Sequence, residues 1–274
     1  MRILILGASG YTGSCIKKKL AQEFMDVYGT YKTRQVKFRR DPSMHQFALG
    51  TKGELERLLY EVRPTLVVSC LRGSFHQQME AHKVLGEYLV QYKDGKIIYL
   101  SSANVFDGAL EQAHMELDLP KAESGYGKFK IDCENMLQKI LGQRAVILRI
   151  PEIWGKDCPR LAELKKSLSD GQPIQTYGNF WVNYTTNAQI ASWVSYIIKH
   201  DLCGVFHVGT RDLYGYMDFQ EALASRMQVG EPMFEIEHNQ EKQVQAVLPG
   251  RQEIPEELHM DVEDVLNYVV GRGA

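Results

Sequence analysis

The sequence predicts an α/β protein, a doubly wound parallel sheet followed by a small C-terminal α/β lobe. Three observations carry this reading. Short, unbroken apolar runs alternate with amphipathic helical stretches through the first half of the chain. The first run passes directly into a turn with glycines at 7, 10 and 13, and then into a helix. Finally, 274 residues of ordinary composition, 44% hydrophobic and 24% charged, leave room for one large domain of about 150 residues and a lobe.

Ile3-Leu4-Ile5-Leu6 shows no polar alternation, as expected of a strand buried on both faces. Gly7-Ala8-Ser9-Gly10-Tyr11-Thr12-Gly13 follows, and the next helix sets Ile16, Leu20 and Phe24 on one side. Strand, glycine turn and helix favour a dinucleotide site over a purely structural turn, because glycines let backbone N–H groups approach a pyrophosphate at a helix N-terminus. Gly7, Ser9, Gly10, Tyr11, Thr12 and Gly13 are therefore expected against the cofactor. The second strand, Val27-Tyr28-Gly29-Thr30-Tyr31, ends in Lys32-Thr33-Arg34. An NAD site places an acidic residue here, for the ribose 2′-hydroxyl. Lys32 and Arg34 suit a 2′-phosphate instead, so NADP(H) is favoured and NAD(H) stays open, as does a reading of both as solvated loop charges.

Leu55, Leu58, Leu59 and Val62 form a helix stripe, and Pro64 precedes the strand Thr65-Leu66-Val67-Val68-Ser69-Cys70. Cys70, Leu71 and Arg72 then fall at a strand C-terminal end, where open α/β sheets bind ligands. A helix over about 75–92 turns Met79, Leu85 and Leu89 inward; its His76 and His82 lack metal-ligand spacing, and no metal is expected. Strand 96–100 delivers Ser101 and Ser102.

Tyr126 and Lys130 are four apart, so a helix sets both heads on one face. A phenol with a reference pKa of about 10 is a poor acid at neutral pH. A neighbouring ammonium lowers that value. The pair is suited to exchange a proton with a carbonyl or alcohol oxygen that the Ser102 hydroxyl holds.

The ordered signals Gly7/Gly10/Gly13, Ser102, and Tyr126 with Lys130 resemble the extended short-chain dehydrogenase/reductase family, whose dinucleotide domain is of Rossmann type. Ser101-Ser102-Ala103-Asn104-Val105-Phe106-Asp107-Gly108 is similar to the Ser-Thr-Asp-Tyr-Val-Phe-Asp-Gly segment of the dTDP-4-dehydrorhamnose reductase branch. The resemblance is good over about residues 1–155 and looser beyond. It implies that Tyr126 is the acid–base residue, that Lys130 lowers its pKa and holds the nicotinamide ribose, and that Ser102 bonds the substrate oxygen. It also implies that Pro151 and Ile153 touch the nicotinamide, and that Asn104, Val105, Phe106 and Trp154 join Ser102 around the substrate, while an aromatic at a strand end such as Trp154 equally suits a core. Two departures stand out. Ser69-Cys70-Leu71 replaces Asn-Ala-Ala, and His82 falls where the family often carries an asparagine. Ala103 and Asn104 lack the paired carboxylate of sugar-nucleotide dehydratases, so elimination of water is disfavoured.

In the second half, 145–150 is another buried strand, and Leu161, Leu164 and Leu168 line a helix that Gly171 stops. Short strands are expected at 173–177 and 180–184, and helices at 188–199, 218–228 and 262–270. By resemblance a strand at 204–208 returns to the main sheet. The division is thus 1–155 for the dinucleotide domain and 156–274 for a substrate-binding lobe.

A net charge of −2 provides no basic footprint for nucleic acid. Five scattered cysteines suit reduced thiols, no leader precedes the first strand, and no apolar run nears the 18 or so residues of a membrane span. The expectation is a cytoplasmic NADP(H)-dependent reductase of a keto group on a nucleotide-linked sugar, without nucleic-acid or membrane partners. A homodimer through the long helices is the family habit. The alternatives are a sugar-nucleotide epimerase using bound NAD and a non-catalytic dinucleotide-binding regulatory subunit.

Overall fold

A computed structural model describes residues 1–33, 38 and 40–271. Its centre is a seven-stranded sheet made of β1 (Ile3–Leu6), β2 (Val27–Tyr31), β3 (Met44–Gln46), β4 (Leu66–Ser69), β5 (Lys96–Leu100), β6 (Ala145–Arg149) and β10 (Val205–His207). The order is β10-β6-β5-β4-β1-β2-β3, with every pairing parallel. Chain order reverses at β1, which has β2 on one side and β4 on the other, so a crevice opens beyond the carboxyl ends of these strands.

The period of two along each strand sorts the core into two layers. Ile3, Ile5, Val68, Ile98, Val146 and Leu148 face α1 (Tyr11–Glu23) and α6 (Asn187–Lys199) through Ile16, Leu20, Ile190, Trp193, Val194 and Ile197. Leu4, Leu6, Val67, Ile97, Tyr99 and Ile147 face α2 (Glu54–Val62), α3 (Phe75–Leu89) and α4 (Gly125–Leu141). Each such fully buried aliphatic side chain contributes roughly 1.5–3 kcal/mol, which explains why these strands read as continuous apolar runs. Helix α6 comes from the second half of the sequence yet packs on the main sheet, as β10 joins it at its edge.

A second core gathers Trp154, Leu161, Leu164, Leu168, Val182, Tyr184, Phe219, Leu223 and Leu266. Around it lie α5 (Pro159–Asp170), α7 (Tyr216–Met227), α8 (Val262–Val270) and a three-stranded sheet. The segments expected as separate strands at 173–177 and 180–184 differ from this. Residues 174–182 form one strand, β8 (Ile174–Val182), and Tyr184 starts a short β9 (Tyr184–Thr186) paired with β7 (Glu152–Trp154). Asn179, at φ 57°, bends the long strand without ending it. Its parallel partner β12 (Phe234–Gln245) was not anticipated, nor was the antiparallel β11 (Tyr214–Gly215).

The exposed side of β10 is occupied by side chains. The His207 N–H donates to Glu116 Oε1 at 3.3 Å, and Arg251 donates to the carbonyls of Val205 at 3.0 Å and Cys203 at 3.2 Å. Among the described residues no helix is long and apolar enough to cross a membrane.

Candidate active site

The glycine turn is built from close backbone approaches. Gly7 has φ 80°, and its N–H donates to Thr30 Oγ1 at 2.8 Å. A Cβ on Gly7 would stand 2.7 Å from the Cys70 carbonyl oxygen, and one on Gly13 would run into the Gly7 carbonyl. Only glycine lets β1, the end of β4 and the first turn of α1 meet in this way. The Ser9 N–H is used by Thr30 O at 3.1 Å and the Gly10 N–H by Gly7 O at 3.0 Å. Gly10, the cap of α1, provides no side-chain bond, so the N–H groups of Tyr11, Thr12 and Gly13 lack intrahelical acceptors. Exposed glycine backbone and a positive helix end fit the pyrophosphate of a dinucleotide. The Tyr11 side chain departs from this surface, since its hydroxyl lies against Gly155 at the edge of the second lobe. Lys32 and Thr33 are exposed at the end of β2, and Lys32 has no carboxylate partner among the described residues. Arg34 lies outside the described residues.

The reacting face is assembled where β5 ends. Ser102 caps a short 3₁₀ turn over Ala103–Phe106; its Oγ accepts from the Asn104 N–H at 3.2 Å and donates to Asn104 Oδ1 at 2.8 Å. Asp107 ties this turn to the start of α4, accepting from the N–H groups of Glu123 at 2.6 Å and Ser124 at 3.1 Å. Ser124 then caps α4 by accepting from the Gly127 N–H at 2.9 Å. A side chain at Gly127 would strike the Asn104 carbonyl, so the glycine after Tyr126 permits helix and turn to close.

Tyr126 and Lys130 emerge on the same face of α4. Tyr126 is 38% exposed, with its ring against Phe75 at 5.8 Å between centroids. Lys130 is only 5% exposed, donating to the Leu100 carbonyl at 2.9 Å and lying 4.6 Å from the Tyr99 ring centre and 5.6 Å from that of Tyr126. Burial pushes the Lys130 ammonium down to about 8. Burial also raises the Tyr126 phenol; a hydrogen bond with Ser102 and the charge of Arg72 act in the opposite direction. The cation expected to lower Tyr126 was Lys130, and here it is Arg72. The Lys130 charge is committed to the Leu100 carbonyl and the Tyr99 ring. Arg72 is exposed, Leu71 half-buried, and Cys70 half-buried with its thiol pushed by burial up to about 12.

Three expected substrate contacts do not reach this face. Val105 and Phe106 are fully buried, and Phe106 stacks on His114 at 4.0 Å. Trp154 is 2% exposed and packs on Phe219 at 5.2 Å. Large apolar rings beside a strand end were recruited to the cores instead. Asn104, Pro151 and Ile153 are half-buried; Ile153 packs with Cys70 and Leu100 on the main core, and Pro151 against Gly209.

Two buried groups lie beneath this face. His82 is wholly buried, its Nε2 2.8 Å from Ser69 Oγ and its Nδ1 2.6 Å from the Gln78 carbonyl. Burial lowers it to about 4, so it is neutral, and it stands edge-on to Tyr99 at 4.8 Å. The second is the buried pair Glu134–Arg149, with Nη2–Oε2 at 2.8 Å. The one available signal was the spacing, since Glu134 follows Lys130 by a further helical turn. Among the described residues no cluster has metal-ligand geometry.

Comparison with known proteins places this geometry in context. A family model described as the RmlD substrate binding domain matches residues 1–257. The probable low-salt glycan biosynthesis reductase Agl14 of Haloferax volcanii is 22% identical over 240 residues, which are 81% of this chain and 79% of that one. The UDP-glucose 4-epimerase of Thermus thermophilus, solved with NAD, has a TM-score of 0.80 at 18% identity, covering 99% of this chain and 98% of its own. The dTDP-4-dehydrorhamnose reductase of Bacillus anthracis, solved with NADP, has a TM-score of 0.74 at 16% identity, covering 98% and 99%. Both structures share the fold.

Proposed function

The chain belongs to the RmlD substrate-binding domain family, and from that premise we propose that it is an NADP(H)-dependent reductase of a keto group on a nucleotide-linked sugar. The observation that carries this is the convergence of Ser102, Tyr126 and Lys130 beside a glycine turn that leads into a helix whose Tyr11, Thr12 and Gly13 N–H groups are unspent. A curated relative named as a glycan biosynthesis reductase supports the direction of the reaction.

In this reading the N–H groups of Tyr11, Thr12 and Gly13 hold the pyrophosphate, and Lys32 faces the 2′-phosphate. Cys70, Leu71, Arg72, Pro151 and Ile153 line the nicotinamide end of the groove, which supplies hydride. Ser102 and Asn104 orient the substrate carbonyl. Tyr126 gives its phenolic proton to the carbonyl oxygen as the adjacent carbon accepts the hydride. A phenol raised by burial favours the protonated form that this direction requires. Lys130 holds the ribose and remains mostly charged at pH 7, with its value near 8. His82 takes no part in proton transfer, because both ring nitrogens are engaged and the ring is sealed from solvent.

Five free cysteines support a reducing, cytoplasmic setting. A homodimer across α3 and α4 would meet exposed Lys83, Glu87, Lys128, Asp132 and Lys139, a charged face that favours a weak association readable by sedimentation velocity.

The test is Tyr126→Phe. Turnover of NADPH with a panel of 4-keto-sugar nucleotides should fall by about 10²–10⁴-fold while cofactor affinity persists. An epimerase would instead retain bound NAD and interconvert sugars without net oxidation. A regulatory subunit would lose nothing.

A further inference from the structure

One carboxylate, buried a single turn beyond Lys130, joins three elements that must agree for the site to form. Glu134 is 2% exposed. Its Oε1 accepts from the Ser101 hydroxyl at 2.5 Å, and its Oε2 accepts from Arg149 Nη2 at 2.8 Å and Nε at 3.2 Å. Ser101 is the residue before Ser102 and is itself held to β6 by its N–H, which donates to Leu148 O at 2.7 Å. Arg149 ends β6, with its guanidinium 5.1 Å from the Phe106 ring centre, inside the 3₁₀ turn that Ser102 caps. Helix α4 is therefore fastened to the β5 end at two successive residues: Lys130 to Leu100, and Glu134 to Ser101. Tyr126, Lys130 and Glu134 share one face, so rotation or sliding of the helix at Glu134 displaces the phenol directly.

We propose that Glu134 is a positioning residue, acting through Ser101 to lock the helix that carries Tyr126 and Lys130 in register with Ser102. It rests on the reductase reading for its kinetic consequence but not for its structural one. The ionised carboxylate has a second effect at Lys130, where its charge supports the ammonium against burial. Neither Glu134 nor Ser101 reaches the open face, since both are buried, so the effect on chemistry is transmitted.

The experiment uses the full chain with Ser101→Ala, Ser101→Thr and Glu134→Gln, and with Leu266→Ala in the second core as a control for general destabilisation. Ser101→Ala removes the strap and no charge. Its kcat should fall about tenfold with both KM values within about twofold, and Ser101→Thr should restore it. Amide exchange over residues 126–134 should accelerate about tenfold in Ser101→Ala, relative to the amides of β1 and β4. Glu134→Gln should move the alkaline limb of the kcat profile to lower pH, because Lys130 loses a carboxylate neighbour. The proposal is overturned by wild-type exchange at 126–134 in Ser101→Ala, or by an equal kcat loss in Leu266→Ala. Should the wild-type chain reduce no keto sugar, the reductase reading fails alone, and the exchange comparison still decides the strap.

Discussion

Two consecutive turns of α4 treat buried charge in opposite ways. At Glu134 the charge is met by Arg149 with three hydrogen bonds, and by a serine hydroxyl besides, while the buried Arg149 Nη1 has no hydrogen-bond partner among the described residues. At Lys130 an ammonium almost as deeply buried has one carbonyl and aromatic faces, and no carboxylate within salt-bridge distance among the described residues. The first arrangement fixes geometry. The second leaves an ammonium that burial holds down to about 8. The contrast is between a carboxylate held by a buried ion pair and an ammonium held by one carbonyl and aromatic faces.

The sharpest way to break the contrast is to remove the ion-pair partner of Glu134. Arg149→Met leaves the buried Glu134 carboxylate with only the Ser101 hydroxyl, and should cost roughly 3–5 kcal/mol in urea unfolding. The double variant Glu134→Gln/Arg149→Met should recover most of that loss. A second test relieves the turn where compensation is lacking. Lys130→Met should stabilise the protein at pH 7 by at most about 3 kcal/mol, because Lys130 is lowered from 10.5 to about 8 on burial. Folding excludes a proton from this group between those values, so wild-type stability recovers as pH rises from 8 towards 10.5 and the gap between the two proteins narrows. Thermal melts at pH 7 and pH 10 check both magnitude and sign.

His82 offers a third comparison, a buried base kept neutral beneath the working turn. Its value is lowered from 6.5 to about 4, so the unfolded chain binds the extra proton in that window. Its contribution is complete above pH 6.5 and is lost as pH falls towards 4, a change on the order of 3 kcal/mol. His82→Asn should flatten this part of the melting profile, though His207, lowered to about 3, keeps a residual slope. The smallest effect belongs to the rim. Lys32 is exposed, so Lys32→Gln should reduce the preference for NADPH over NADH by about tenfold or less, read from the ratio of the two Kd values.

How much of this was legible depended on whether the information was local. The main strands showed themselves because burial on both faces demands unbroken apolar runs, and Gly7, Gly10 and Gly13 because a close turn demands glycine. Tyr126 and Lys130 share one face of α4, as their spacing of four implies. Long-range partnership was invisible: nothing near Glu134 in sequence points to Arg149, 15 residues away on a strand. Strand β12 was missed because Phe234-Glu-Ile-Glu-His alternates only briefly before a run of polar residues. Val105, Phe106 and Trp154 were misplaced for the converse reason, as an aromatic beside a strand end serves a core or a ligand with the same local pattern. The pKa expectation for Tyr126 failed because spacing gives proximity to Lys130 but says nothing of the carbonyl that claims its charge.

The plugged flank of β10 has a consequence for behaviour at high concentration. A bare strand margin invites a neighbouring molecule to add a ribbon of its own, and enough such additions end in precipitate. With Glu116 seated on one amide and Arg251 on two carbonyls, that invitation is withdrawn by side chains of opposite charge, and each lies on a different loop. Colloidal tolerance at this margin therefore depends on loops outside the sheet, and substitutions there can leave the chemistry intact while turning a well-behaved protein into an aggregating one.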